Sequence, residues 1–333
     1  MSIFVTGGTG FLGSYLLRHL LSEGHTNITA LRRHSSSMDL VADIAQRIQW
    51  IEGELDDPFC LAEGIAGKDW VFHIAAMVSF QQRDRYKMRK VNADGTANVV
   101  NACMELGVQK LIHVSSIAAV GRTKPKQVLN EKNIFQTSPY NTEYGISKFL
   151  GEQEVWRGIA EGLNAAIVNP SVIIGAGRWY EGTGQFFATL HKGFRFVPTG
   201  KISLVDVRDV ARMMLQIAQS DINDERFIAN AGELTYRDFF GAIAQRLQVK
   251  APNWTITPFL REAAWRLASV QSILTGKPPV VTKENFRQAV LEYHFENDKS
   301  IQQLDFQYTP IEQTIAETSS AFLKSGGKTK VFE

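Results

Sequence analysis

Cysteine is almost missing from this chain, with two residues, Cys60 and Cys103, among 333. They stand far apart in apolar surroundings, which excludes a disulfide framework and a thiolate metal site and predicts a reducing, cytoplasmic setting. No run of about 18 apolar residues occurs, so no membrane-spanning helix is expected. The opening "MSIFVTGG" lacks the basic start and apolar stretch of a signal peptide, and an untargeted, soluble protein is expected. A dominant charge is lacking too: 36 Lys+Arg face 34 Asp+Glu, scattered along the chain. That balance predicts neither a nucleic-acid nor a membrane partner. The histidines show no ligand spacing such as H-E-x-x-H, so no metal is expected.

What is present is alternation. Strand-like runs at 2–6, 28–32, 48–53, 70–75, 110–116 and 165–171 are separated by helix-length stretches at 10–23, 58–65, 86–106 and 142–162. This is the pattern of βαβ units, and it predicts an α/β fold with a doubly wound parallel sheet. After Pro170 the alternation weakens. A dinucleotide-binding domain is expected over 1–170, rejoined by about 203–230, which includes a strand at 226–230. The segments 171–202 and 231–333 are expected to form a smaller, mainly helical lobe over the carboxyl edge of the sheet, where open α/β folds bind ligands.

"TGGTGFLG" (6–13) follows the first strand and opens the first helix. Gly7 suits a tight turn, Gly10 allows backbone to approach a pyrophosphate, and Gly13 allows close helix–strand packing. The helix N-terminus offers free N–H groups to phosphate. The second strand ends in "LRRHSSS" (31–37), without the carboxylate that holds an NAD ribose. Arg32 and Arg33 suit a 2′-phosphate, and NADP(H) is the expected cofactor rather than NAD.

Ser116 falls at the end of the fifth strand, and Tyr144 and Lys148 lie four apart at the start of the next long helix. A unit charge about 4 Å from a phenol is worth roughly 4 kcal/mol at an effective dielectric near 20, or about three pKa units. Lys148 is therefore expected to bring Tyr144 toward a working acid/base range.

The motifs "TGGTGFLG", "HIAA", "VNADGT", "VSS", "YGISK" and "VNPSVIIG", in that order over nearly the whole chain, resemble those of the extended short-chain dehydrogenases/reductases of the NAD-dependent epimerase/dehydratase superfamily. The likeness is greatest to the dihydroflavonol 4-reductase and 3β-hydroxysteroid dehydrogenase branch. The resemblance implies Tyr144 as proton donor or acceptor, Lys148 on the nicotinamide ribose, and Ser116, rather than Ser115, on the substrate carbonyl. It also implies cofactor contacts from Gly7, Thr9, Gly10, Phe11, Leu12, Arg32 and Arg33 on one side. Glu54, Leu55, Ala75, Ala76, Met77, Asn92, Ser115, Pro170, Ser171 and Val172 would supply the others. Glu54 stands where Asp is commoner, which puts its geometry toward the adenine in question. A plain helix N-cap is the alternative role for Asn92.

The expected activity is NADP(H)-linked interconversion of a ketone or aldehyde with an alcohol. Trp179, Tyr180, Phe186, Phe187, Phe194, Phe196, Trp254, Phe259 and Trp265 suggest an apolar or ring-containing substrate, although such rings more often form the core of a lobe. Two other readings are a nucleotide-sugar epimerase/dehydratase, with Arg178, Lys192, Arg195 and Arg208 on a diphosphate, and a non-catalytic NADP sensor. A homodimer through the helices at 86–106 and 142–162 is compatible with their apolar patterns.

Overall fold

Short runs rich in β-branched and aromatic residues become strands, and the amphipathic stretches between them become helices. The computed structural model describes residues 1–255, 283–329 and 331. In chain order come β1 (Ile3–Thr6), α1 (Phe11–Ser22), β2 (Ile28–Arg32), β3 (Gln49–Glu52), α2 (Pro58–Ile65), β4 (Trp70–His73), α3 (Arg85–Arg89) and α4 (Gly95–Glu105). Next are β5 (Lys110–Val114), β6 (Gln127–Leu129), α5 (Glu143–Ala160), β7 (Ala165–Pro170), β8 (Val172–Ile174), α6 (Gly184–His191), β9 (Phe196–Val197), β10 (Lys201–Asp206) and α7 (Val207–Gln219). Then follow β11 (Glu225–Ala229), β12 (Gly232–Thr235), α8 (Tyr236–Leu247), β13 (Trp254–Thr255), α9 (Lys283–Gln288), β14 (Tyr293–Phe295), α10 (Asp298–Leu304) and α11 (Ile311–Ser325).

Seven strands form one parallel sheet in the order β11-β7-β5-β4-β1-β2-β3. Both faces are covered, as parallel sheets require. On β1, Ile3 and Val5 pack into the core shared with α1 and α7, while Phe4 points to the opposite core with α2 and α4. The order reverses between β1 and β4, and this crevice at the carboxyl edge is where such sheets take ligands. The helix expected over 86–106 is α3 and α4 joined by a π-turn at Lys90–Asp94. Extra residues in a helical turn recur at functional sites.

A three-stranded sheet, β12-β10-β8, carries a second core. Trp179, Phe187, Phe239 and Phe322 are buried in it, and Phe186 packs on Phe239 and Phe240. The C-terminal elements thus include short strands as well as helices. Of the stretch 203–230, β11 joins the edge of the large sheet, α7 lies beside α1 and β10 belongs to the small sheet. Leu304 and Phe306 return to the core of the large sheet. Strand β6, in the β5–α5 connection, pairs in parallel with β14. Among the described residues no helix is long and apolar enough to cross a membrane.

Candidate active site

The β1–α1 loop is shaped by its glycines. Gly7 has φ +75°, and a Cβ there would stand 2.7 Å from the Ala75 nitrogen. A Cβ on Gly13 would stand 2.1 Å from the Gly7 carbonyl oxygen, so the helix can close on the loop only without a side chain. Gly10 donates to the Gly7 carbonyl at 2.9 Å and begins α1 without a side-chain cap. The first-turn N–H groups, from Phe11 onward, are left for an anion. Thr9 and Phe11 are half-buried at this opening, and Leu12 is buried in the core.

Thr6 Oγ1 accepts from the Ile74 and Ala75 nitrogens at 3.2 Å and lies 2.7 Å from His73 Nδ1, which ties the β4 exit to β1. Ala75 and Ala76 follow on that exit. Met77 is clamped by Asn92: its N–H donates to Asn92 Oδ1 at 2.7 Å, and Asn92 Nδ2 donates to its carbonyl at 2.9 Å. The same amide donates to Ser147 Oγ on α5 at 2.9 Å. Asn92 is buried inside the π-turn and is not an N-cap. A Cβ on Gly151 would stand 2.4 Å from the Asn92 carbonyl, so α5 packs directly on the π-turn.

The ends of β2 and β3 change the reading of the arginines. Arg32 pairs with Glu52 across the β2–β3 register at 2.8 Å, and His34 meets the same carboxylate at 2.7 Å. The carboxylate missing from the end of β2 is therefore supplied by its neighbour strand. Arg33 is exposed, and its guanidinium has no partner among the described residues. Glu54 is exposed and close to the Lys90 charge, while Leu55 packs on Gly95.

Ser116 caps the turn Ile117–Val120, with its Oγ accepting from Ala118 N at 3.1 Å. Thr142 caps α5, accepting from Gly145 N at 2.9 Å. A Cβ on Gly145 would stand 2.7 Å from the Ala118 carbonyl, so the first turn of α5 lies against the Ser116 turn. This contact brings Tyr144 close to Ser116. Phe80 flanks Tyr144, ring centroids 6.1 Å apart, a neighbour that its sequence position gives no reason to single out.

Lys148 is 1% exposed, and its Nζ donates to the Val114 carbonyl at 2.8 Å. Burial lowers its pKa to about 8, against a smaller opposing pull from Glu152. Burial raises the Tyr144 hydroxyl above its ordinary value, and the nearby Ser116 hydroxyl opposes this. The expected lowering of Tyr144 by Lys148 is therefore not the dominant effect. The ammonium is turned onto a backbone carbonyl, and desolvation acts against both charged forms.

Ser115, Pro170 and Ser171 are buried beside this pair, and Val172 is half-buried. The hydroxyls of Ser115 and Ser171 have no hydrogen-bond partner among the described residues, although buried polar groups are normally satisfied. Free hydroxyls on the segments that flank Tyr144 and Lys148, together with an uncapped glycine-bounded helix start, fit a dinucleotide with one polar ring. Behind them lies a layer not predicted from sequence. Asn169 Nδ2 donates to the Ser116 carbonyl at 2.9 Å and to Glu152, and Glu152 pairs with Arg226 at 3.2 Å. Glu152 stands four residues after Lys148, a spacing that could have flagged it.

The aromatic segment separates from this site. Trp179, Phe186 and Phe187 form lobe core, and Phe194, Phe196 and Trp254 stack in a chain, with Trp254 53% exposed. Tyr180 is exposed, and Phe259 and Trp265 lie outside the described residues. Of the four suggested diphosphate cations, Arg178 pairs with Asp39 through Nε at 3.0 Å and through Nη2. Arg208 is held by Asp206 and Glu317 at 2.6 Å each. Lys192 sits over the Tyr180 ring at 4.8 Å and Arg195 over the Trp254 ring at 5.8 Å.

The model of the family described as NAD dependent epimerase/dehydratase matches residues 3–232. A putative dihydroflavonol 4-reductase from Synechocystis is 30% identical over 97% of this chain and 95% of its own length. Sterol demethylase protein B from Methylococcus capsulatus is 29% identical over 79% of each chain. The crystal structure of DesIV, a dTDP-glucose 4,6-dehydratase from Streptomyces venezuelae with NAD bound, superposes with a TM-score of 0.81 over 98% of both chains at 19% identity, a likeness of fold alone. Motif order, parallel-sheet topology and these matches agree: the chain belongs to the NAD-dependent epimerase/dehydratase family, the extended short-chain dehydrogenases/reductases.

Proposed function

We propose that the protein is an NADP(H)-dependent reductase/dehydrogenase that interconverts a ketone or aldehyde and an alcohol on a small substrate, with Tyr144 as acid/base. The observation that carries this reading is the packing of the first turn of α5 on the Ser116 turn at the carboxyl edge of the sheet, which sets Tyr144 near Ser116 with Lys148 buried alongside. When bound, the nicotinamide supplies or accepts the hydride. Burial keeps Tyr144 protonated, so it holds the proton that a developing alkoxide takes up in the reductive direction. The Ser116 hydroxyl, whose oxygen accepts from Ala118 N, keeps its own proton to donate to that oxygen. Lys148, with one N–H on Val114, has two donors left for the ribose.

The epimerase reading asks for free cations against a diphosphate. Arg178 and Arg208 are already paired with carboxylates, which favours the reductase. The names of the two relatives, a dihydroflavonol reductase and a sterol demethylase protein, both refer to ring compounds, and Phe80 beside Tyr144 offers such a substrate an apolar wall. A sensor has no use for the proton donor. Purified protein is expected to oxidise NADPH with some member of a panel of aromatic aldehydes, flavonoid-like ketones and steroid ketones. Tyr144→Phe should lower kcat by at least about a hundredfold while the NADPH Kd stays within about threefold. Retained turnover removes Tyr144 from the reaction, and isomerisation of a sugar nucleotide without net NADPH loss selects the epimerase.

The preference for NADP rests on Arg33, whose guanidinium has no partner among the described residues, and on Arg32 exchanging Glu52 for phosphate. NADPH is expected to bind at least about tenfold, or 1.4 kcal/mol, more tightly than NADH, and Arg33→Ser should narrow that ratio. Equal affinities in the unmodified protein overturn the assignment.

A further inference from the structure

Ser116 and Lys148 stand on different elements, and one buried carboxylate reaches the supports of both. Glu152 lies one helical turn beyond Lys148 on α5 and is 1% exposed. One of its oxygens accepts from Asn169 Nδ2, and that same amide donates to the Ser116 carbonyl at 2.9 Å. Its other oxygen meets Arg226 Nη1 at 3.2 Å. Arg226 is fixed in turn by the Glu131 carbonyl at 2.9 and 2.7 Å and by the Asn133 carbonyl. Elements β7, β11 and α5 therefore meet on a single carboxylate, and the turn after β5 joins them through the Asn169 amide.

We infer that Glu152 is a positioning residue for the acid/base pair, holding the Lys148 ammonium by its charge and the Ser116 backbone through Asn169, with Arg226 anchoring the carboxylate. The inference rests on the roles proposed above for Ser116 and Lys148. A buried Glu–Arg pair is a poor way to gain stability, because apolar residues of similar volume often do as well or better. Its presence next to Lys148 calls for another reason, and the shared Asn169 amide supplies one.

Groups facing Lys148 come from three elements: Glu152 on α5, His113 on β5 and His73 on β4. Burial holds both histidines neutral, His73 down to about 3. Glu152 is thus the anion acting on Lys148 among the described residues, and it favours the charged ammonium.

The test reads Lys148 directly in the protein without nucleotide. Competitive acetylation by acetic anhydride, followed peptide by peptide by mass spectrometry across pH, gives the midpoint at which Lys148 becomes reactive. In Glu152→Gln the midpoint should fall by at least about half a pH unit, while Glu152→Asp, which keeps the charge, restores it. Superimposable curves for unmodified protein and Glu152→Gln overturn the inference. In turnover, Glu152→Gln should move the alkaline limit of kcat to lower pH, a change that loss of packing alone would not produce. Asn169→Ala leaves the ion pair in place and serves if Glu152→Gln does not fold. It should lower kcat at least about tenfold with the NADPH KM within about threefold, and an unchanged kcat overturns the Ser116 half. A protein that reduces no carbonyl compound defeats the reductase reading, whereas the acetylation midpoint still decides whether Glu152 holds Lys148.

Discussion

Lys148 shows what the site costs the fold. Its pKa falls from the usual 10.5 to about 8 because burial penalises the ammonium, so between those values the unfolded chain binds more protons than the folded one. Stability therefore rises with pH through this window, and the penalty is fully present below pH 8. A shift of that size corresponds to about 3 kcal/mol. Lys148→Met is expected to stabilise the nucleotide-free protein by roughly 1–3 kcal/mol at pH 7, with a gain that shrinks as pH approaches 10.5. Urea unfolding at pH 7 and pH 10 measures both values, and a gap that does not narrow contradicts the sign. At this same scale, Ser116, Tyr144 and Lys148 are legible in the sequence as types at a spacing. Glu152, Asn169 and Arg226 are less so, because the partners of Glu152 lie 17 and 74 residues away. The ion pair of Arg32 is hidden for a related reason: its partner Glu52 belongs to the next strand and is visible only through the register.

Among the elements, α5 carries Tyr144, Lys148 and Glu152, and its position depends on what it packs against. Gly151 allows it to touch the π-turn, whereas a Cβ added to Gly241 in α8 would meet nothing within 4 Å. The same substitution should therefore have opposite signs. Gly151→Ala is expected to destabilise by about 2 kcal/mol and to weaken the Asn92 clamp. Gly241→Ala should be neutral or stabilising by up to about 1 kcal/mol through helix propensity. Thermal or urea unfolding of the two variants checks the contrast. The strands and major helices are readable because buried parallel strands are short, nearly continuous apolar runs. The π-turn is not, since an inserted residue barely disturbs a helical hydrophobic pattern. The aromatic segment is ambiguous because rings that fill a lobe and rings that line a pocket have the same composition. Packing of Trp179 on Phe322 and on Phe187 places these rings in the core.

For the whole molecule, the connection after β2 is tied to the smaller lobe by Asp39 and Arg178. The guanidinium holds the Asp39 carboxyl below the usual range. Both side chains keep some solvent contact, so the pair is worth about 1 kcal/mol rather than the several that a buried pair would give. Asp39→Asn and Arg178→Gln should each lose that amount, and the double variant should lose little more than either alone. Additive losses in the cycle would show that the two residues act independently. The contribution is fully present above the ordinary aspartate pKa, and it declines as pH falls from there to the depressed folded-state value.

The pairing of β6 with β14 has a consequence for how the protein is made. Strand β6 lies between Ser116 and Tyr144 in the chain, yet its partner is residues 293–295, and Arg122 in the same connection bonds to Gln288, 166 residues away. Contacts of such long range form late, because loop closure must precede any stabilisation they give. During synthesis the glycine loop and the first strands can therefore assemble on the emerging chain, while the segment joining Ser116 and Tyr144 waits for its last neighbours. A nascent chain halted before residue 283 is expected to hold a partly built sheet without a settled Ser116–Tyr144 pair, so under the proposed function nucleotide affinity would be acquired before the ability to turn over substrate.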